Sequence, residues 1–205
     1  LAGAIIGAIV SAVLIGANML GLPSLLAAVL ALAAGVLVTG ALHEDGLADV
    51  ADGFGGGSTR EQRLEIMRDS RIGTYGTIAL CLTFIGRAAI YETLSGLEPL
   101  IILALLASAA AFSRSLVVDL LWATRPARSD GLSVFAGRPG KRSALFSLLT
   151  GGIGAAVAVG LALSPEIAVI AIIAAGIVLA GLRALAMRKI GGQTGDVCGA
   201  VQVLT

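Results

Sequence analysis

Four carboxylates fall within nine residues, from Glu44 to Asp52, directly after about 40 residues that contain no charged side chain. If the apolar helix before them continues through this acidic cluster, Asp45, Asp49 and Asp52 have i, i+4 and i+7 spacing and share one helical face. Like charges so placed repel one another, so the pattern predicts a bound cation, and carboxylate oxygens favour a hard ion such as Mg²⁺. The cluster therefore indicates metal-assisted chemistry on a phosphate-bearing substrate at a membrane surface.

The alternative for the acidic cluster is a solvated helix end. Acidic residues near a helix C-terminus oppose the helix dipole, so metal binding is the favoured interpretation. The glycines between Gly53 and Gly57 supply a flexible turn and backbone amides that can approach a phosphate. Residues 60–68 beyond them predict a short helix with Thr59 as its N-cap.

A second motif, residues 68–76, combines arginines with hydroxyls and glycines directly before an apolar stretch. The guanidinium groups of Arg68 and Arg71, the hydroxyl of Ser70 and the accessible amides suit an anion, so we predict a phosphate site. The alternative is an anchor of positive charge with a helix N-cap, which explains the arginines but not the whole mixture.

Two further polar segments carry weaker signals. Residues 125–133 are basic, contain hydroxyls and include Arg128, and residues 191–196 have the sequence GGQTGD. The latter run predicts a tight turn with exposed amides at Thr194 and Gly195. Asp196 at its end is placed to join the metal site.

Five charged residues fall inside apolar stretches, where ions are costly and normally face a partner or a polar cavity. We expect Arg87 and Glu92 to form a structural pair. Arg114 has two open interpretations, a pair with Asp119 or a contact with substrate. Arg183 and Asp119 lie toward the end of the bundle that holds the acidic cluster.

The elements that position these residues are membrane helices. Hydrophobic residues make up 57% of the chain, charged residues make up 13%, and the mean hydropathy is +0.98. A span needs about 20 apolar residues, which predicts an all-α fold, a polytopic transmembrane helix bundle. The six predicted spans are 1–19, 22–42, 76–94, 100–121, 144–163 and 167–187.

Every Lys or Arg outside these spans falls on one side, which the positive-inside rule makes the cytoplasm. The loops predicted to hold the site therefore share the cytoplasmic face. We treat residues 1–205 as a single integral membrane domain and expect a piece of a longer protein, because the chain starts without Met and stops in mid-pattern. Cys81 and Cys198 form no CxxC motif and predict neither a zinc site nor a disulfide framework.

Four motifs are highly specific when they occur in this order: HEDGLADVADG from His43, RDSRIGTYG from Arg68, PARSDGL from Pro126 and GGQTGD from Gly191. Together they resemble the membrane-bound cobalamin synthase family (adenosylcobinamide-GDP ribazoletransferase) over nearly the whole chain. The first motif matches that family's usual pattern, H-x-D-G-L-A-D-x-x-D-G.

The resemblance implies the last joining step of vitamin B12 assembly. α-Ribazole phosphate, or α-ribazole in its place, attacks the phosphoryl group that links cobinamide to GMP in adenosylcobinamide-GDP, and GMP leaves. The implied cofactor is Mg²⁺ and the implied location is the bacterial or archaeal cytoplasmic membrane, so the lipid bilayer is a partner. No nucleic acid is expected, and the oligomeric state stays open.

The resemblance also implies roles for single residues. His43 has two open interpretations, a general base or a helix-end histidine that is hydrogen-bonded to a carboxylate. The catalytic group comprises His43 and the three aspartates of the acidic cluster. The carboxylates expected to bind metal are Glu44, Asp45, Asp49, Asp52 and Asp196. The residues expected to contact phosphate or substrate are Arg68, Ser70, Arg71, Arg114, Arg128, Thr194 and Gly195.

Two other classes of protein compete with this prediction. A CDP-alcohol phosphotransferase also displaces a nucleotide with an acidic metal motif, D-x-x-D-G-x-x-A-R-x8-G-x3-D-x3-D, but here Asp45–Gly46 continues with Leu47–Ala48–Asp49. A transporter would use the charges within the spans to line a pathway. Against a transporter, the polar motifs gather at one membrane face and no inverted repeat is evident.

Overall fold

The computed structural model describes all 205 residues and contains ten α-helices and no β-strand. The helices are α1 (Ala2–Met19), α2 (Ser24–Thr39), α3 (Leu42–Gly56), α4 (Arg60–Ile66), α5 (Thr74–Leu94), α6 (Pro99–Ala123), α7 (Leu132–Ala136), α8 (Lys141–Ala162), α9 (Pro165–Ile190) and α10 (Gly195–Leu204).

Five of these helices, α1, α5, α6, α8 and α9, are long and apolar enough to cross a membrane. The pair α2 and α3 passes the same test when taken together, but the two helices meet at an angle of 90°. The predicted all-α, polytopic bundle is therefore confirmed, with five such helices, or six if the bent pair α2 and α3 counts as one span.

The break between α2 and α3 lies at two consecutive residues with left-handed backbone. Gly40 has a φ of 63° and Ala41 a φ of 59°, and Ala41 carries a Cβ that makes this conformation unfavourable by roughly 1 kcal/mol. The expectation that the apolar helix continues into the acidic cluster is wrong. Glu44 and Asp45 lie instead in the first turn of α3, where the helix dipole favours negative charge, so the argument from an opposing dipole is wrong too.

The helix that carries the acidic cluster, α3, packs against α10, α5 and α4. Its approach to α10 is close because glycines face the backbone of the partner helix. A Cβ at Gly46 would lie 2.8 Å from the carbonyl oxygen of Asp196, and a Cβ at Gly199 would lie 3.0 Å from that of His43. This contact sets the first turn of α10 beside the carboxylates of α3.

The short helix predicted after the glycine run is present as α4, and Thr59 caps it in a capping box. Arginines of α4 bind the C-terminal carbonyls of α9. Arg60 Nε donates to the oxygen of Ile190 at 2.9 Å, and Arg63 Nη1 donates to that of Lys189 at 3.2 Å. These bonds satisfy carbonyls that lack a partner within α9 and fix α4 at the charged end of the bundle.

At the other end of the chain, α1 meets the backbone of α6 through a GxxxG spacing. A Cβ at Gly3 would lie 2.8 Å from the Cα of Ala111, and a Cβ at Gly7 would lie 2.6 Å from the Cα of Ala107. Small residues at i and i+4 let membrane helices approach this closely.

We expect Gly7→Leu to lower the free energy of unfolding by about 3 kcal/mol, because the added side chain meets backbone that has no rotamer to change. The measurement is denaturant or thermal unfolding in detergent micelles. Gly16→Leu is the matched control on the same helix, since a Cβ at Gly16 meets nothing within 4 Å. Equal losses in the two variants would contradict the close packing of α1 on α6.

Candidate active site

The predicted carboxylate face is present on α3. Asp45 is exposed, and Asp49 and Asp52 are half-buried. The charges that act on the Asp49 carboxylate are the like charges of Asp45, Asp196 and Asp52 and the opposite charge of Arg128. The structure thus brings Asp196, from the first turn of α10, to the acidic cluster, while its role as a metal ligand stays a prediction.

Asp52 makes contacts that the sequence pattern does not reveal. Its Oδ2 atom accepts a hydrogen bond from the amide of Gly73 at 2.7 Å, and its Oδ1 atom accepts one from Gly76 at 2.9 Å. Gly73 is the N-cap residue of α5 and makes no side-chain cap bond, so Asp52 supplies the missing acceptor from another helix. The glycine is needed there because a Cβ at Gly73 would lie 2.5 Å from Oδ1 of Asp52.

Removing this cap has a measurable consequence. We expect Asp52→Ala to lower the free energy of unfolding by about 2 kcal/mol, and Asp52→Asn by less, because the amide oxygen still accepts one bond. Unfolding in detergent micelles measures both. Glu98→Ala is the matched control, since Glu98 precedes α6 without a side-chain cap bond. An unchanged midpoint for Asp52→Ala would exclude the capping role.

Beside the acidic face, Arg128 and Thr194 both bind Asp196. Arg128 Nη2 donates to Oδ2 of Asp196, and Thr194 Oγ1 donates to the same oxygen at 3.1 Å. The side chains of Arg128 and Asp196 are only 14% and 22% exposed. Burial raises the pKa of the Asp196 carboxyl above its ordinary value, and the guanidinium of Arg128 acts in the opposite direction.

Arg128 reaches this position because the loop after α6 is bound to the turn before α10. The amide of Ala127 donates to the oxygen of Gln193 at 2.8 Å, and the amide of Gln193 donates to that of Arg125 at 2.9 Å. Gly192 allows the approach, since a Cβ there would lie 2.8 Å from the amide nitrogen of Ala127. These bonds join the basic segment 125–133 to the GGQTGD segment 191–196.

Two clefts open beside Arg128. One, of about 210 Å³, is lined by Arg128, Thr194, Gly195 and Asp196, so predicted substrate contacts from two separate loops share one cleft. The other, of about 480 Å³, lies between α4 and the loop after α6 and is lined by Arg128 together with Arg68. Each cleft offers guanidinium donors to an anion.

The arginines of the second motif are paired with carboxylates. Arg68 Nη2 lies 2.5 and 2.7 Å from the two carboxylate oxygens of Asp130. Arg71 binds Asp69, whose pKa its hydrogen bonds lower to about 2, and 87% of the Arg71 side chain is exposed. Ser70 is exposed as well. The structure therefore places Arg68 at a cleft, and Arg71 and Ser70 on the solvent-exposed part of the motif.

Two of the five charges predicted within the spans, Arg87 and Arg114, lie near the start of α3. Glu44 Oε1 lies 3.5 Å from Arg87 Nη1, so the predicted pairing of Arg87 with Glu92 is wrong. Residues five apart on a helix lie about 140° apart around its axis and face different ways. Glu44 therefore faces α5, and His43, which donates to no carboxylate, lines a cavity with Arg87 and Arg114.

Arg114 does not pair with Asp119 either, for the same geometric reason. Its Nη1 atom donates to the backbone oxygen of Ala110 at 3.0 Å, within α6. The remaining guanidinium donors have no partner in the chain. The predicted pair with Asp119 is therefore absent, and a contact of Arg114 with substrate stays a prediction.

Comparison with known proteins identifies the family. A family model described as cobalamin-5-phosphate synthase matches residues 1–205, the whole chain. The chain belongs to this family. Similar proteins named adenosylcobinamide-GDP ribazoletransferase include one from Azorhizobium caulinodans, 50% identical over 100% of this chain and 77% of its own length, and one from Bradyrhizobium diazoefficiens, 47% identical over 90% and 69%. No solved structure matches the chain.

The members of the cobalamin-5-phosphate synthase family are transferases, so the prediction of an enzyme is confirmed together with the predicted family. A third relative with the same name, from Xanthobacter autotrophicus, is 48% identical over 98% of this chain and 77% of its own length. These relatives give no support to the CDP-alcohol phosphotransferase or transporter alternatives.

In this member of the family, the donors at the acidic cluster suit Mg²⁺. Asp45, Asp49 and Asp196 offer hard carboxylate oxygens from two facing helices, and their like charges act on one another. No three His, Cys, Asp or Glu side chains of this structure are drawn together at metal-binding distance. The type of donor atom, and not the present spacing of the side chains, is therefore what suits Mg²⁺. Glu44 and Asp52 are less suitable as ligands, because Glu44 is paired with Arg87 and Asp52 accepts a hydrogen bond from Gly73.

Sequence reasoning missed three residues that shape the site. Asp130 pairs with Arg68, Gly199 admits the backbone of α3, and Gln202 lines a cavity with His43. Only Gly199 has a usable signal, because a small residue on an apolar helix indicates close packing. The other two contacts depend on how distant helices meet.

Proposed function

We propose that the protein transfers the cobinamide phosphoryl group of adenosylcobinamide-GDP to α-ribazole phosphate, or to α-ribazole, and releases GMP. The observation that carries the proposal is the meeting of Asp45 and Asp49 with Asp196 and Arg128. It occurs in a chain 50% identical to a protein named adenosylcobinamide-GDP ribazoletransferase. Carboxylates that suit a divalent cation, set beside a guanidinium, match what displacement at a diphosphate requires.

In this reaction a hydroxyl of α-ribazole phosphate attacks the phosphorus next to cobinamide. One P–O bond forms, the P–O bond to GMP breaks, and the hydroxyl proton passes to a base, for which His43 is the predicted residue. Arg128 uses one of its five N–H donors on Asp196, which leaves donors for a phosphate oxygen. Gly195, at the start of α10, adds backbone amides and the positive end of a helix dipole.

Mg²⁺ has a place in this proposal. Asp45, Asp49 and Asp196 would hold the ion, which when bound neutralises negative charge on the phosphates. The two carboxylates of α3 keep one helical face, and the close contact of Gly46 with α10 keeps Asp196 beside them. Because the loops at this end hold the Lys and Arg residues outside the spans, we place the site on the cytoplasmic side of a bacterial or archaeal membrane.

One assay tests the proposal. Membranes that contain the protein are supplied with adenosylcobinamide-GDP, α-ribazole and Mg²⁺, and the release of GMP is followed. We expect release that stops when the divalent cation is chelated and returns when Mg²⁺ is restored. Absence of Mg²⁺-dependent GMP release from folded protein would contradict the proposal, and release of CMP from a CDP-alcohol would support the phosphotransferase alternative instead.

A further inference from the structure

A cavity of about 420 Å³ lies between the helices of the bundle, and of the acidic cluster only Glu44 lines it. Most of the residues that line it are hydrophobic, and its polar groups include His43, Glu44, Arg87, Arg114 and Gln202. Such a cavity offers an apolar wall with a small polar region, which is the composition of a site for a large amphipathic ligand.

This buried cavity is the inner member of a series. A second cavity, of about 270 Å³, shares His43, Arg114 and Gln202 with it. The second cavity in turn shares Ser133 and Gly195 with the polar cleft that holds Thr194 and Asp196. The series therefore leads from the proposed phosphate site into the interior of the bundle.

Two residues that line the buried cavity each carry a buried hydrogen-bond acceptor without a partner. The Oε2 atom of Glu44 and the Oε1 atom of Gln202 are both buried without a hydrogen bond, and Glu44 as a whole is only 8% exposed. Leaving a buried acceptor unpaired is costly, so such atoms usually mark an absent partner. Donors are available nearby as well, because Arg114 uses a single bond to the backbone of Ala110.

A ligand that satisfies these groups must both donate and accept hydrogen bonds and carry no charge. An ionised carboxylate has no hydrogen to donate to the unpaired oxygens of Glu44 and Gln202, and an added cation would be repelled by Arg87 and Arg114. A neutral carboxamide satisfies the acceptors with its NH₂ group and the guanidinium donors with its oxygen. A corrinoid carries several carboxamide arms around an otherwise apolar macrocycle.

We propose that the buried cavity and its neighbour bind the carboxamide-bearing edge of the corrinoid, with Glu44 and Gln202 as acceptors and Arg114 as donor. The phosphate end of the same molecule then extends along the series of cavities to Thr194 and Asp196. This inference rests on the proposed function, because it takes a corrinoid as the substrate. Glu44 and Arg114, which have no role in the proposed phosphate transfer, would then recognise the substrate.

The test is binding of cobinamide, which has the amide arms but no nucleotide, to purified protein in detergent micelles without Mg²⁺. We expect Gln202→Leu to raise the dissociation constant for cobinamide at least about tenfold, because the substitution keeps the volume and removes the acceptor. In turnover, the KM for adenosylcobinamide-GDP rises similarly, while kcat and the KM for α-ribazole stay unchanged. Asn18→Leu is the matched control, since Asn18 also has a buried unpaired amide atom but lines neither cavity.

A second measurement does not depend on any variant. Wild-type protein is expected to bind a corrinoid whose amides have been hydrolysed to carboxylates at least about tenfold more weakly than cobinamide, because an ionised carboxylate has no N–H group to donate to Glu44 or Gln202. Equal affinity for the two corrinoids, or an unchanged dissociation constant in Gln202→Leu, would overturn the inference. An equal effect of Asn18→Leu would do so too.

The outcomes also separate this inference from the proposed function. Cobinamide binding that weakens in Gln202→Leu, without any GMP release by the wild-type protein, supports the corrinoid site and contradicts the transfer reaction. GMP release with an unchanged KM for adenosylcobinamide-GDP in Gln202→Leu supports the transfer reaction and overturns the corrinoid site.

Discussion

Asp45→Asn and Asp49→Asn are each expected to lower the rate of GMP release at least about 1,000-fold while the protein still inserts in the membrane. Both carboxylates face Asp196, and an amide in place of either removes a charged oxygen donor for Mg²⁺. A bound divalent ion supplies several kcal/mol of charge stabilisation in the transition state, and each 1.36 kcal/mol is a factor of ten in rate. Initial rates across a range of Mg²⁺ concentrations measure the effect.

The control for these variants is Glu92→Gln, which makes the same kind of change at an exposed residue near the far end of α5. It should retain the wild-type rate and Mg²⁺ dependence. Full activity in both aspartate variants would remove the metal assignment. A loss that is equal in the Glu92 control would show that charge in general, and not the acidic face of α3, controls the rate.

Gly46→Val is expected to abolish activity and to lower the free energy of unfolding by about 3 kcal/mol, although it changes no functional group. The first added carbon would lie 2.8 Å from the carbonyl oxygen and 2.9 Å from the Cα of Asp196. Because both atoms belong to backbone, α3 and α10 must separate. The separation moves Asp196 away from Asp45 and Asp49 and divides the proposed metal ligands between two helices that no longer meet.

Gly181→Val is the matched control, since a Cβ at Gly181 meets nothing within 4 Å and the residue lies in another apolar helix, α9. Unfolding in micelles and GMP release are measured on both variants. A fully active Gly46→Val protein would show that the close contact of α3 with α10 is not needed for catalysis. Loss of activity in Gly181→Val would show that β-branched residues are not tolerated in these helices for a different reason.

The fold follows from the sequence because membrane spans are defined by length and apolarity, which are local properties. The spacing of Asp45, Asp49 and Asp52 also predicts a shared face correctly, since all three remain on one helix. The break before that helix is harder to predict. The apolar stretch 22–42 contains two glycines, and Gly35 lies within the helix whereas Gly40 ends it. The left-handed backbone at the next residue, Ala41, is not what its alanine side chain favours.

The pairing of charged groups is the part of the site that the sequence does not determine. The ion pair of Glu44 with Arg87 joins two helices, and the hydrogen bonds of Asp52 join α3 to α5. Both depend on the antiparallel packing of helices that are far apart along the chain. Predictions limited to neighbours, such as Arg114 with Asp119, fail because spacing along one helix decides only which residues share a face.

The two ends of α3 are held by different kinds of contact, and one helix carries both of them. Near its C-terminus, Asp52 is bound to the amides of α5, and the oxygen of Phe54 accepts a hydrogen bond from Lys189 Nζ at 2.9 Å. At its N-terminus the chain passes through the left-handed residues 40–41. In its first turn, Glu44 is paired with Arg87 and lines the buried cavity, while Asp45 and Asp49 follow on the same helix of roughly four turns. A displacement of α3 would therefore change the wall of the cavity and the position of the carboxylates together.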